Sequence, residues 1–161
     1  MKNKFLKVLA AALAVGAVAA TTACADFSKS KTYTDGQFTD VPATEWYASS
    51  VKDAFEFGIM NGDSATTFNP NGTLTVAEGV TIASRINETL TGVKIPAANG
   101  GEWYQMYVNY ATSKGFVKAG QFDDYDRPAK RYEVASIFEN AMPDGYFAPK
   151  NDVADIHDIP D

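Results

Sequence analysis

Phe38-Thr39-Asp40-Val41-Pro42, Trp46-Tyr47, Gly58-Ile59-Met60-Asn61-Gly62, Phe68-Asn69-Pro70 and Leu74-Thr75-Val76-Ala77-Glu78 follow one another between residues 38 and 78. About sixty residues later the order returns as Trp103-Tyr104, Gly115-Phe116-Val117, Phe122-Asp123 and Lys130-Arg131-Tyr132-Glu133. Trp46 lies 12 residues before Gly58, and Trp103 lies 12 before Gly115. Phe68 to Thr75 is 7 residues and Phe122 to Lys130 is 8. A period of this size marks stacked supersecondary units, none of which buries its apolar face alone.

Each unit reads as helix, loop, helix. The spacing predicts a first helix from about Thr44 to Phe57, with Val51, Ala54, Phe55 and Gly58 on its inward stripe. Gly58 is a natural stop, because glycine adopts the left-handed conformation at little cost. Asn61-Gly62-Asp63 and Asn69-Pro70-Asn71-Gly72 form a turn-rich loop that Phe68 pins to the core. Thr75-Val76-Ala77-Glu78 is a capping box, opening a second helix to about Leu90 with Val80, Ala83, Ile86 and Leu90 inward. Gly92 to Gly101 is a linker. In the second unit, Tyr104, Tyr107, Val108 and Ala111 line one helix, and Val134, Ile137, Phe138 and Ala141 line the other. Lys130 cannot accept a cap hydrogen bond, so this last helix is expected to start less firmly, with Pro128 fixing the direction of the incoming chain. Pro143-Asp144-Gly145 ends it.

Outside the repeats, Lys2, Lys4 and Lys7, the apolar run Val8–Ala20 and Ala23-Cys24-Ala25 read as a signal peptide over residues 1–25. The apolar run is too short for a stable membrane span. Cys24 is the only cysteine; it either leaves with the leader or, in the alternative reading, carries a lipid anchor. Residues 26–37 read as a flexible leader. The whole chain of 161 residues carries a net charge of −6; without the three lysines of the leader, 11 basic residues face 20 acidic ones. That balance argues against nucleic acid.

Little in the chain suggests catalysis. His157 is the only histidine, so no Cys/His pair and no histidine-based metal site can form in the folded part. Neither a phosphate-binding glycine loop nor a dinucleotide fingerprint is present. Asn69–Gly72 and Asp123–Asp126 lack the ligand spacing of calcium loops and read as turns. The expectation is a non-enzymatic protein without cofactor or metal.

The ordered anchors resemble the S-layer homology (SLH) family, whose units begin with F-x-D-V, open a first helix with W-[YA], end it at G-[IV], and open a second helix with T-R-A-E. The first repeat matches nearly every anchor, with Val76 where the pattern has arginine; the second lacks the opening but keeps Arg131 and Glu133. Asn151-Asp152-Val153 to Ile159-Pro160-Asp161 resembles the lead-in to a third. This divides the chain into repeat 1 (38–92), repeat 2 (93–145) and the start of a truncated repeat 3 (146–161). The resemblance implies an all-α bundle of tandem helix-loop-helix repeats, pseudo-threefold when three are present. The chain then reads as a fragment or a shortened reading frame, with an uncovered apolar surface prone to self-association.

The resemblance also implies non-covalent anchoring of a secreted, cell-wall or S-layer protein to secondary cell-wall polysaccharide or peptidoglycan. Pyruvylated sugars present a carboxylate that arginine meets with a bidentate fork at an amide-rich helix start. The family's glycan-binding positions carry over to Asp40, Trp46, Gly62, Thr75, Glu78, Trp103, Lys130, Arg131 and Glu133. Several of these have structural readings: caps for Thr75, Glu78 and Asp40, and core packing for the tryptophans. With Val76 in place of arginine, the first repeat is expected to bind anionic sugar poorly. The stretch from Lys114 to Arg131 holds five basic and three acidic residues, a landing place for an anionic polymer. The alternatives are a lattice-assembly module without glycan binding, or the anchor of a downstream exoenzyme or outer-membrane barrel.

Overall fold

Each first helix of the repeat stops at a glycine, and both stops are built alike. In the computed structural model, which describes residues 28–98 and 100–146, Gly58 and Gly115 have φ of 72° and 83°. The two amides after Gly58, of Ile59 and Met60, both donate to the Ala54 carbonyl; those of Phe116 and Val117 both donate to Ala111. A side chain at a positive φ would crowd its own backbone, so glycine at these two positions sets where the chain turns. The signal peptide, Cys24, His157 and the lead-in to a third repeat lie outside the described residues.

Four helices make the fold: α1 (Ala48–Glu56), α2 (Val76–Thr91), α3 (Gln105–Lys114) and α4 (Arg131–Ala141). No strand is present among the described residues; Thr75 and Pro128 form one isolated antiparallel bridge. The architecture is all-α, as the repeat pattern implies. α1 starts four residues later than its periodicity suggests, since Pro42–Trp46 are spent in turns.

Two apolar clusters form. One is made by Val76, Val80 and Ala83 of α2, Tyr107, Val108, Tyr110 and Ala111 of α3, Ile137 and Ala141 of α4, and the loop anchors Phe116, Val117 and Phe122. The smaller gathers Phe38, Val41, Val51 and Phe68, with Phe55, Met60 and Tyr33 against it. Thus α2, second helix of the first repeat, packs against both helices of the second. Its buried Asn87 fastens the far end of the bundle: Nδ2 donates to the Ala141 carbonyl (2.6 Å) and Oδ1 accepts from Tyr110 (2.8 Å).

The stretch read as a leader makes specific contacts. The amides of Ser30 and Lys31 donate to the Glu56 carbonyl at the end of α1, and Lys29 pairs with the Glu56 carboxylate. Tyr33 lies edge-on to Phe55 and tilted against Phe38. The polar composition around Tyr33 hides this docking from a reading of sequence alone.

Candidate inter-repeat groove

Turn chemistry shapes the loop before α2. Both Asp40 oxygens accept amides, from Phe68 (2.9 and 3.1 Å) and Asn69 (2.7 Å). Those bonds, Phe68 first, hold the Asp40 carboxyl below its usual range. Asn69 takes a left-handed φ of 61°, its side chain tied to Asp63 (3.0 Å). Gly62 has φ of 80°, and a Cβ there would sit 2.6 Å from the Thr67 carbonyl and 2.9 Å from the Phe38 ring. Backbone approach therefore demands glycine at position 62, whatever else the residue does. The segments weighed as calcium loops close as turns, through Gly72 to Asn69 and through Asp126 to the Asp124 side chain.

The capping box is complete at α2. Thr75 Oγ1 accepts the Glu78 amide (3.2 Å), while Glu78 Oε2 accepts from the Thr75 amide (2.7 Å) and hydroxyl (2.9 Å). The next amides are also taken: Val76 donates to the Arg127 carbonyl (3.1 Å) and Ala77 to Tyr125 (2.8 Å). This helix start, expected to offer amides to an anion, is filled by the chain's own backbone. Val76 is fully buried among α2, α3 and α4, so position 76 faces core rather than groove.

At α4 half of the box survives. Glu133 Oε2 accepts the Lys130 amide (2.8 Å), but an ammonium has no lone pair for the return bond. Glu133, 7% exposed, receives a two-point fork from Arg127 (2.7 and 2.9 Å). That fork, helped by the Lys130 amide, brings its pKa down to about 2. Arg131 is exposed, with no hydrogen-bonding or ionic partner among the described residues.

Neither tryptophan is a core residue. Trp46 is 86% exposed and Trp103 53% exposed; each stands edge-on to the following tyrosine at 5.5 Å. The tyrosines turn inward and hold the indoles outward, the same way in both repeats.

A groove of about 390 Å³ runs between the repeats. Its walls are the 59–63 turn, the Phe68–Leu74 loop, the Glu78–Arg85 face of α2, and Trp103. It brings together Gly62, Glu78 and Trp103; Asp40 shapes one wall through Phe68 and Asn69, and Thr75 caps the helix that forms another. Trp46, Lys130, Arg131 and Glu133 do not line it. Two lining residues escaped the reading of the sequence. Arg85 donates to the Ile59 carbonyl (3.0 Å) and to the Tyr107 hydroxyl (3.0 Å), tying α2 to the 59–63 turn and to α3. Thr81 is 4% exposed, and its hydroxyl lacks a hydrogen-bond partner. Their offsets of 3 and 7 from Glu78 put all three on one helix face, a signal legible in the sequence.

Among the described residues no helix is long and apolar enough to cross a membrane, and no group of acidic, histidine or cysteine side chains is arranged to hold a metal ion.

Residues 37–78 match the family model of the S-layer homology domain. The chain is 28% identical over 134 residues to the surface-layer 125 kDa protein of Lysinibacillus sphaericus, covering 77% of this chain and 11% of that one. It is 29% identical over 118 residues to a cellulosome-anchoring protein of Acetivibrio thermocellus, covering 67% and 26%. It is 39% identical over 66 residues to an amylopullulanase of Thermoanaerobacterium thermosulfurigenes, covering 41% and 3%. The chain thus spans 26% or less of these relatives' lengths. No solved structure matches. Residues 37–78 thus carry an S-layer homology domain, in keeping with a cell-surface, cell-wall-associated protein.

Proposed function

We propose that this S-layer homology module anchors a secreted surface protein non-covalently by binding pyruvylated secondary cell-wall polysaccharide. The observation that carries the reading is the inter-repeat groove, where an exposed indole, a turn rich in amides and asparagine, and a guanidinium converge. Sugar rings lie with their C–H faces on an indole, and polar loop groups meet their hydroxyls. A carboxylate-bearing sugar adds attraction to a cation. Arg131, exposed at the start of α4 without a partner among the described residues, offers a second contact to the same polymer outside the groove.

The test is a pull-down of the protein with purified cell-wall sacculi, before and after hydrofluoric acid strips the attached polysaccharide. Binding that disappears on stripping is the expected result; binding that persists points to peptidoglycan itself, and none to intact sacculi rejects the reading. Arg131→Ala is expected to weaken retention while leaving helicity intact; unchanged retention would remove Arg131 from the binding set.

A second reading is assembly with other SLH chains. The uncovered start of α4, with Tyr132 66% exposed beside it, favours this reading. Concentration-dependent oligomers that ignore polysaccharide would select it. The amylopullulanase relative suggests an enzyme as the anchored cargo.

A further inference from the structure

Three cations of this acidic chain pair with a carboxylate among the described residues. Lys29 pairs with Glu56, Lys94 with Glu88 and Arg127 with Glu133. Two that lie close together do not. Arg85 is half-buried on the groove wall and meets only neutral groups: the Ile59 carbonyl, the Tyr107 hydroxyl and the Tyr107 ring, 5.2 Å from its guanidinium carbon. Lys31 does not line the groove itself but is carried to the 59–63 turn by the docked segment before the first repeat. Its ammonium donates to Asn61 Oδ1 and stands 4.9 Å from the centre of the Phe55 ring. Ile59 and Asn61 are two residues apart on one turn, and both line the groove. The two cations therefore grip the same turn, and neither has a carboxylate partner among the described residues.

The groove's own acids are engaged elsewhere. Glu78 Oε2 serves the Thr75 cap, and Asp63 Oδ2 holds Asn69. Burial first, and repulsion from Arg85 second, push the Lys31 ammonium below its ordinary value. An anion placed between the two would relieve that repulsion and gain charge-assisted hydrogen bonds from both.

Resting on the polysaccharide reading of the groove, we propose that Lys31 and Arg85 form its anion subsite, and that they take the carboxylate of the bound sugar. In the first repeat these residues replace the missing arginine at position 76, whose side chain is core. Thr81, one turn before Arg85, supplies a hydrogen-bonding group to the same ligand. On the same helix Thr89 and Thr91 donate to the carbonyls of Arg85 and Asn87, whereas the Thr81 hydroxyl has no partner. Lys31 precedes the repeat, so the subsite includes a residue outside the homology domain.

The experiment is calorimetric titration of the full chain with two probes: a methyl glycoside carrying a ketal-linked pyruvate, and its methyl ester. Wild type is expected to bind the acid at least tenfold more tightly than the ester. Lys31→Gln should weaken acid binding about threefold and Arg85→Gln about tenfold, both leaving the ester unchanged, and Lys31→Arg should restore it. Thr81→Val should weaken both probes without lowering the thermal midpoint. If wild type prefers the acid and Lys31→Gln keeps that preference in full, the subsite assignment falls while the glycan reading stands. If wild type binds neither probe nor intact sacculi, both fall together. Arg85 also ties the 59–63 turn to α3, so should Arg85→Gln unfold, the exposed Lys31 pair of variants decides.

Discussion

Helices α2 and α4 begin with corresponding segments of the repeat, yet one start is closed and the other open. At α2 a threonine caps, the first two amides are taken by Tyr125 and Arg127, and the residue after the cap is buried valine. At α4 a lysine stands at the cap, no carbonyl of another described segment meets the Arg131 or Tyr132 amides, and the residue after the cap is exposed arginine. The difference lies in what the next unit supplies. The loop before α4 lies across the start of α2, with Ala129 donating to the Leu74 carbonyl (2.9 Å) and Thr75 bridged to Pro128. A shared motif thus becomes core or surface according to its neighbour.

Exchanging side chains between the two starts is the strongest way to break this comparison. Val76→Arg forces a charge into the cluster or lifts the 125–127 loop. A loss of about 3 kcal/mol or more is expected from denaturant unfolding. Arg131→Val should change stability by no more than about 0.5 kcal/mol. Similar costs at both sites would show that the α2 start is not closed in solution.

Glu133→Gln removes the charge that Arg127 grips. A cost of about 2 kcal/mol is expected, below that of a fully buried pair because Arg127 remains a third exposed. The same group sets a pH window. Its folded pKa of about 2 lies below the ordinary 4.5, so its contribution is complete above about 4.5 and lost as pH falls toward 2. Asp40, also lowered, acts in the same direction. Urea midpoints measured from pH 6 to pH 2 should fall less steeply in Glu133→Gln; identical slopes would deny the ion pair.

Smaller changes test the caps. Thr75→Ala should cost about 1 kcal/mol, since Glu78 loses its return partner. Lys130→Thr completes the box at α4 and should add about 0.5 kcal/mol, read as a rise in thermal midpoint. A loss there would mean that the lysine stem covers apolar surface.

Helix identity, helix stops and the capping box were legible because they depend on neighbours three or four positions apart. The inward stripes of α2 and α4 followed from the same periodicity, with Val80, Ala83, Ile137 and Ala141 fully buried. Less of the groove was legible. Gly62, Glu78 and Trp103 converge on it, while Arg85, Thr81 and Lys31 carry no motif, and their meeting depends on how α2 and the residues before Phe38 pack. The tryptophans read equally well as core until the following tyrosines were seen to take the interior positions.

The sequence alone determined that two helix-loop-helix units follow one another, where each helix stops, and which residue caps α2, because these are local matters of backbone conformation and short-range hydrogen bonding. Only the tertiary structure decided that Val76 is core while Arg131 is surface, that α2 belongs with the helices of the next repeat, and that Lys31 and Arg85 face one turn. Burial and charge proximity are properties of surfaces in contact, and those surfaces come from residues tens of positions apart.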